Sequence, residues 1–485
     1  MPFLAHCASG KILSKLPMPS IVYRRAAMAL LCVTAVALSG CASLDVPGSV
    51  SQPARPSTAD YAGPAVIPNG PLSQLDAANA ANLRGVAETA PPQDMWERIR
   101  RGFAMPNIDG NLVDSRVQWY ASRPDYIDRM SERSSRYIFY IVDELERRRM
   151  PSELALLPYI ESAFNPQAVS HAKAAGMWQF MPATGRSFDL RQNSFRDDRR
   201  DVIASTNAAL DYLESLHKQF GDWHLALAAY NWGQGNVRRA IARNKAAGKG
   251  TGYLDLRMPA ETRNYVPKLQ AVKNIVSNPS AYSVDLPTIP NHPFFDAVTI
   301  ERDIDVSLAA EFAGVSEADF RALNPSLKHP VILANGTPTI LLPWDNAADF
   351  KIRLQAHSGP MASWTAFVVK RNMKPRDLAK QVGMSESELR QVNSIPPRML
   401  VRKGSTVLIK RSANKTANVT EYVADNAQLA LAPEFSKLRV KVRKGDTLSG
   451  IARKYGVSVS AITKWNNLKS RSYIRIGQTL IVQVR

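Results

Sequence analysis

The chain has 485 residues, 45% of them hydrophobic, which is more than one core normally serves, so about three domains are expected. Its formal net charge of +20 points to an anionic partner such as a nucleic acid, a membrane surface or an acidic polymer, without choosing among them. Cys7, Cys32 and Cys41 all fall in the first 41 residues, which excludes a disulfide framework in the folded part, and the seven histidines are never paired at a ligand spacing beside carboxylates, so no metal is expected.

The N-terminus reads as an export signal over residues 1–40. Arg24 and Arg25 precede an apolar run from Ala26 to Leu38 that is too short to span a bilayer. The run ends in Leu38-Ser39-Gly40-Cys41, which resembles a bacterial lipobox, and that resemblance implies cleavage before Cys41 and lipidation of its thiol. Ala42, which is not an acid, favours the outer membrane. Residues 41–93 are rich in Pro, Ala, Ser, Gly and Asn without a sustained period and are expected to form a tether.

Residues 94–283 read as an all-α domain. Ile127, Met130, Ser134, Tyr137, Ile138, Ile141, Val142 and Leu145 keep the three-to-four spacing of one buried helical face. A second helix carries Ile203, Leu210, Leu213, Leu216 and Phe220, closed by Gly221. Between them, Ser152 is placed to cap a helix running towards Asn165-Pro166. On that helix Leu154, Leu157, Glu161 and Phe164 share one stripe, so the Glu161 carboxylate is poorly hydrated and its pKa should rise, as a glycosidic-bond acid requires. From periodicity alone, a helix-end glutamate with its head in water is the commoner reading.

Gly176-Met177-Trp178-Gln179-Phe180-Met181-Pro182 reads as a tight loop offering aromatic and thioether surface with one amide; core packing fits it equally well. Ala229-Tyr230-Asn231 ends an apolar helix, and Glu261-Thr262-Arg263-Asn264-Tyr265-Val266 opens another. Together, in this order, Glu161-Ser162 and these three segments closely resemble the soluble lytic transglycosylase domain, related in fold to goose-type lysozyme.

That resemblance implies Glu161 as the catalytic acid and base. It implies Ser162, Ser170, Met177, Gln179, Phe180 and Met181 as residues meeting the glycan, with Tyr230 and Asn231 lining the cleft. Tyr265 matches a tyrosine near the acid, and Glu261 a second cleft carboxylate that is not a nucleophile. The implied reaction is non-hydrolytic. It cleaves the β-1,4 bond between N-acetylmuramic acid and N-acetylglucosamine, leaves a 1,6-anhydromuramoyl end and needs no cofactor. Two rivals stay open: a hydrolase in which Asp197, Asp198 or Glu261 activates water, and a binding lipoprotein with an inactive domain.

Beyond residue 283 one plan recurs three times, over 294–343, 364–410 and 437–484, with a linker expected at 411–436. Asn393 precedes Gly404, and Asn466 precedes Gly477, by eleven residues; Asn324 precedes Gly336 by twelve. Each Asn follows an alanine (Ala310, Ala379, Ala452) by fourteen, and a glycine (Gly314, Gly383, Gly456) lies four beyond each alanine. The last copy, from Arg443-Lys444-Gly445-Asp446-Thr447-Leu448 to Gly477-Gln478-Thr479-Leu480, closely resembles a LysM module, which implies a βααβ fold that binds N-acetylglucosamine-containing glycans. Residues 437–485 hold twelve Lys or Arg against one acid, which suits an acidic wall polymer. The whole is thus expected to be a multidomain chain: an all-α lysozyme-like catalytic domain followed by small βααβ LysM modules. Its expected partners are peptidoglycan glycan strands and, through lipidated Cys41, a membrane at the periplasmic face of the cell envelope. No nucleic acid partner is expected, and the protein is expected to be a monomer.

Overall fold

The computed structural model describes residues 91–412, 416–468 and 473–484. Cys41 and the signal lie outside them, as does all of the tether before residue 91. No helix among the described residues is long and apolar enough to cross a membrane.

The first body is helical, with α1 (Met95–Arg101), α2 (Asn111–Ala121), α3 (Pro124–Ser135), α4 (Ile138–Arg147), α5 (Leu157–Ser162), α6 (Pro182–Ser187), α7 (Val202–Phe220), α8 (Trp223–Trp232), α9 (Gln234–Ala246), α10 (Ala260–Arg263) and α11 (Tyr265–Ser277). Helix α7 starts where the Asp201 carboxylate accepts from Ala204 N–H and stops at Gly221, whose φ of +66° is the left-handed cap expected from the sequence. The chain returns to its own beginning: Met95 N–H donates to Ile289 O and the Trp96 indole to Pro287 O.

The stripe from Ile127 to Leu145 is buried at every position named above, yet it belongs to two helices. The break at Arg136-Tyr137 follows two serines whose hydroxyls donate back to carbonyls three residues earlier, Ser134 to Ser131 and Ser135 to Glu132, and so compete with the helical ladder.

Three modules follow. In the first, β1 (Phe295–Thr299) pairs antiparallel with β4 (Thr339–Pro343) around α12 (Val306–Ala313) and α13 (Glu317–Leu323). It also carries a short pair, β2 (Ile304–Asp305) with β3 (Val331–Ile332), and an added helix α14 (Ala347–Ala356) that the repeat pattern did not foretell. The second pairs β5 (Trp364–Val368) with β7 (Thr406–Lys410) around α15 (Pro375–Gln381) and α16 (Glu386–Val392).

The described residues of the expected 411–436 linker are folded. They hold α17 (Glu421–Asn426) and β8 (Leu431–Pro433), which pairs with β6 (Met399–Val401), and they bury Val419, Ala424 and Ala427. The buried Asp303 carboxylate of the first module pins this strap, accepting from Val419 N–H at 2.9 Å and from Arg411 at 2.5 Å. The third module pairs β9 (Ser436–Lys441) with β10 (Thr479–Val484) around α18 (Leu448–Lys454) and α19 (Val459–Trp465).

The recurring asparagine has the same geometry in all three modules. Its side-chain amide donates to a carbonyl four residues back and to one in the last strand, while its oxygen accepts from that strand residue's N–H. The strand partner is Leu341 for Asn324, Leu408 for Asn393 and Ile481 for Asn466. One side chain thus caps the second helix and completes the strand edge.

Candidate active site

Glu161 lies at the end of a short path that the sequence only half reveals. Pro158 lacks an N–H and sits in the first turn of α5, so the expected single helix from Ser152 divides into a 3-10 turn, Ser152–Leu156, and α5, Leu157–Ser162. Ser152 does not cap it; its hydroxyl donates to Ile99 O at 2.5 Å. The helix stops at Ser162, because Ala163 and Phe164 both turn left-handed, at φ of +51° and +53°. Phe164, wholly buried against Tyr159 with ring centroids 4.5 Å apart, offsets the strain of that turn.

The turn before Glu161 is tied down by a buried ion pair that sequence reasoning missed. Glu153, fully buried, accepts from the N–H groups of Ala104 and Met105 and from Lys273 Nζ at 2.8 Å. Lys273 lies on α11, the helix that opens with Tyr265. The acid's turn and the tyrosine that meets the acid therefore share one scaffold.

Tyr265 is the direct partner: its hydroxyl donates to Glu161 Oε1 at 2.5 Å. Burial pushes the Glu161 carboxyl up from 4.5 to about 7, outweighing the Tyr265 hydrogen bond and the Lys268 charge, which favour the ionised form; the nearby Glu261 charge acts in the same direction as burial. Burial and the facing carboxylate also raise the Tyr265 hydroxyl well above its usual range, so it stays a donor.

The other candidates fall into two groups. Ser162 donates to Met177 O at 3.0 Å and Tyr230 donates to Trp178 O at 2.8 Å, so both brace the 176–181 loop by its carbonyls. Asn231 accepts from Thr262 at 2.8 Å, joining the third and fourth motifs. Ser170 caps the 170–174 turn, accepting from Ala174 N–H. Gln179, half-buried with φ of +48°, and Met181, exposed, are the loop residues that reach the surface, and Glu261 is exposed at the start of α10.

Met177 and Phe180 do not face the glycan as expected: they are 0% and 3% exposed and, with Trp178, fill the core. Trp178 is held there by its indole N–H to Thr206 Oγ1 at 3.0 Å. The loop is a packed wedge with one amide at its tip, because large apolar side chains next to an all-helical core gain most by burial. Asp197 and Asp198, candidates for activating water, are committed to Arg199 and Arg196, each at 2.7 Å.

The Transglycosylase SLT domain family matches residues 140–251, the LysM domain family residues 440–483, and the LysM-like domain of lytic transglycosylase MltD residues 294–359. Membrane-bound lytic murein transglycosylase D of Escherichia coli is 33% identical over 391 residues, 78% of this chain and 83% of the relative. The chain belongs to the lytic murein transglycosylase D family. The family's soluble cousin, Soluble lytic murein transglycosylase of Escherichia coli, is 30% identical over 116 residues, 23% of this chain and 18% of that one. An N-acetylmuramoyl-L-alanine amidase of Bacillus subtilis is 51% identical over 41 residues, 8% of this chain and 14% of that protein. This member of the transglycosylase D family is thus a peptidoglycan lytic transglycosylase with a helical lysozyme-like domain and wall-targeting LysM modules.

Proposed function

We propose that Glu161 alone serves as acid and base in cleaving the bond between N-acetylmuramic acid and N-acetylglucosamine. In the first step its carboxyl protonates the glycosidic oxygen as the bond to the muramoyl C1 breaks. The resulting carboxylate then takes the proton of that muramoyl residue's C6 hydroxyl, whose oxygen attacks C1. The acid is restored, no water is consumed, and the product carries a 1,6-anhydro ring.

The observation that carries this reading is the carboxyl held at about 7 with the Tyr265 hydroxyl 2.5 Å away. Such a group is protonated for the first half and is a competent base in the second. Hydrolysis by the rival acids finds less support, since Asp197 and Asp198 are engaged by arginines and Glu261 is exposed. Tyr230, Asn231, Gln179, Met181, Ser170 and Glu261 are assigned to the walls of the glycan cleft; Ser162 is assigned to bracing its loop.

The enzyme is further assigned to the periplasmic face of the outer membrane, anchored by a lipid on Cys41, from the lipobox-like Leu38-Ser39-Gly40-Cys41 and Ala42. The deciding experiment is mass spectrometry of muropeptides released from purified sacculi. Products one water lighter than the hydrolysed sugar are expected from the wild type and none from Glu161→Gln. Equal digestion by both proteins would remove Glu161 from the reaction, and products of full hydrolytic mass would replace it with a muramidase.

A further inference from the structure

Residues 191–199 hold two buried ion pairs that the proposed reaction does not use. Arg199 points towards the active-site loop: its Nη1 donates to Lys173 O at 2.7 Å and to Phe180 O at 3.1 Å, the carbonyls that bracket Gln179. Its Nε and Nη2 donate to the Asp197 carboxylate at 2.9 and 2.7 Å. The approach of backbones here is close. Gly176 has φ of +85°, and a Cβ on it would fall 1.8 Å from Arg199 O.

The opposite side of the same segment is bound to the first module and the strap. Asp197 N–H donates to Ser326 O at 3.0 Å, Arg196 donates to Thr337 Oγ1 at 3.2 Å, and Lys328 N–H donates to Phe195 O at 3.0 Å. From the strap, Ala424 O and Asp425 O accept from the Asn193 amide, each at 3.0 Å, and Ala427 O accepts from Ser194 N–H. Phe195 is 6% exposed and lies among Val331, Leu333, Ala424 and Ala427, none of which belongs to the catalytic domain. Conversely, Leu323 and Leu341 of the first module complete the catalytic domain's own core.

We infer that the first module and the strap are an integral part of the active site's support: by seating Phe195 and Asp197 they hold Arg199, and Arg199 holds the loop that carries Gln179 against the glycan. Arg199 is a positioning residue, acting through the loop's carbonyls. The inference rests on the assignment of this loop as a cleft wall. It gives the first module a role that requires no glycan binding by it.

The test uses the full chain and soluble glycan-strand fragments, comparing wild type with Arg199→Gln, Phe195→Ala and the conservative Phe195→Leu. Expected is a KM raised roughly tenfold or more in the first two and largely restored in the third, because a loop displaced by a fraction of an ångström loses its hold on substrate. The alkaline limb of the pH profile, set by Glu161 and Tyr265, and retention on sacculi through the third module stay at wild-type values. A variant that merely unfolds in part lowers kcat with its folded fraction and leaves KM alone, which overturns the inference, as does an unchanged KM in Phe195→Ala. Should Arg199→Gln fail to fold, Phe195→Ala decides by itself. Failure of the transglycosylase reading is separate: it appears as hydrolytic products from the wild type, on which the KM comparison is still made.

Discussion

Replacing Glu161 by Gln removes the charge but keeps an acceptor for the Tyr265 hydroxyl, so it isolates what ionising this carboxyl costs the fold. The carboxyl titrates near 4.5 when unfolded and at about 7 when folded. At about 1.4 kcal/mol for each pH unit, holding the charged form in the folded state costs about 3 kcal/mol. Because the folded value is the higher one, the wild type keeps its full stability below pH 4.5 and loses it as pH rises through 7. The two proteins should therefore melt together at pH 4, while at pH 8.5 Glu161→Gln should be the more stable by up to about 3 kcal/mol, or roughly 6–12 °C for a domain of this size. The carboxyl keeps an edge in water, so screening brings the gap to or below that figure. Calorimetric melts of both full-length proteins at several pH values measure it directly. A gap that does not change between pH 4 and 8.5 would refute the claim that burial perturbs this carboxyl.

Tyr265→Phe deletes the donor that favours ionised Glu161, so the alkaline limb of kcat/KM should move to higher pH while kcat falls about 10–100-fold through lost orientation; pH–rate profiles read both. Lys273→Ala leaves Glu153 buried without its cation and should cost about 3–5 kcal/mol by denaturant unfolding, far more than any exposed lysine. Asn466→Ala breaks three hydrogen bonds around the last strand and should cost the third module about 2–3 kcal/mol. Retention on sacculi should then fall, with turnover of soluble fragments unchanged.

What was legible in the sequence follows from how far each signal reaches. Periodicity found the buried faces from Ile127 to Leu145 because apolar spacing is local, but it did not find the break after Ser135, which depends on two hydroxyls folding back. Glu161 stood on a stripe whose apolar members, Leu154, Leu157 and Phe164, are all fully buried, although that stripe spans a 3-10 turn, a short helix and a left-handed corner. The motif residues lie together in the fold: Tyr265 meets Glu161 and Ser162 meets the Met177 carbonyl. What motif matching could not separate was a side chain that touches substrate from one that packs beneath it, and Met177 and Phe180 were on the wrong side of that line. Glu153, Lys273 and Arg199 were missed because each is paired with a group distant in sequence or acts on backbone carbonyls, which carry no residue identity.

The three modules separate folding from recognition within one repeat. Each keeps the asparagine clip, and Gly314, Gly383 and Gly456 all sit at φ between +64° and +69°, so the helix pair and strand pair survive in every copy. The turn that reads Gly445-Asp446-Thr447 in the third copy is Asn372-Met373-Lys374 in the second, so the fold tolerates different residues at this turn. In the first copy the spacing lengthens by one residue, and its glycine, Gly336, has moved to a new contact: a Cβ there would lie 2.9 Å from Ala424 Cβ in the strap. A position that serves the hairpin in the other two copies, with Gly404 and Gly477 at +85° and +86°, here admits a neighbouring segment instead. On the same face of this module, Ser326 O accepts from Asp197 N–H and Thr337 Oγ1 from the Arg196 guanidinium, so its surface is committed to the enzyme.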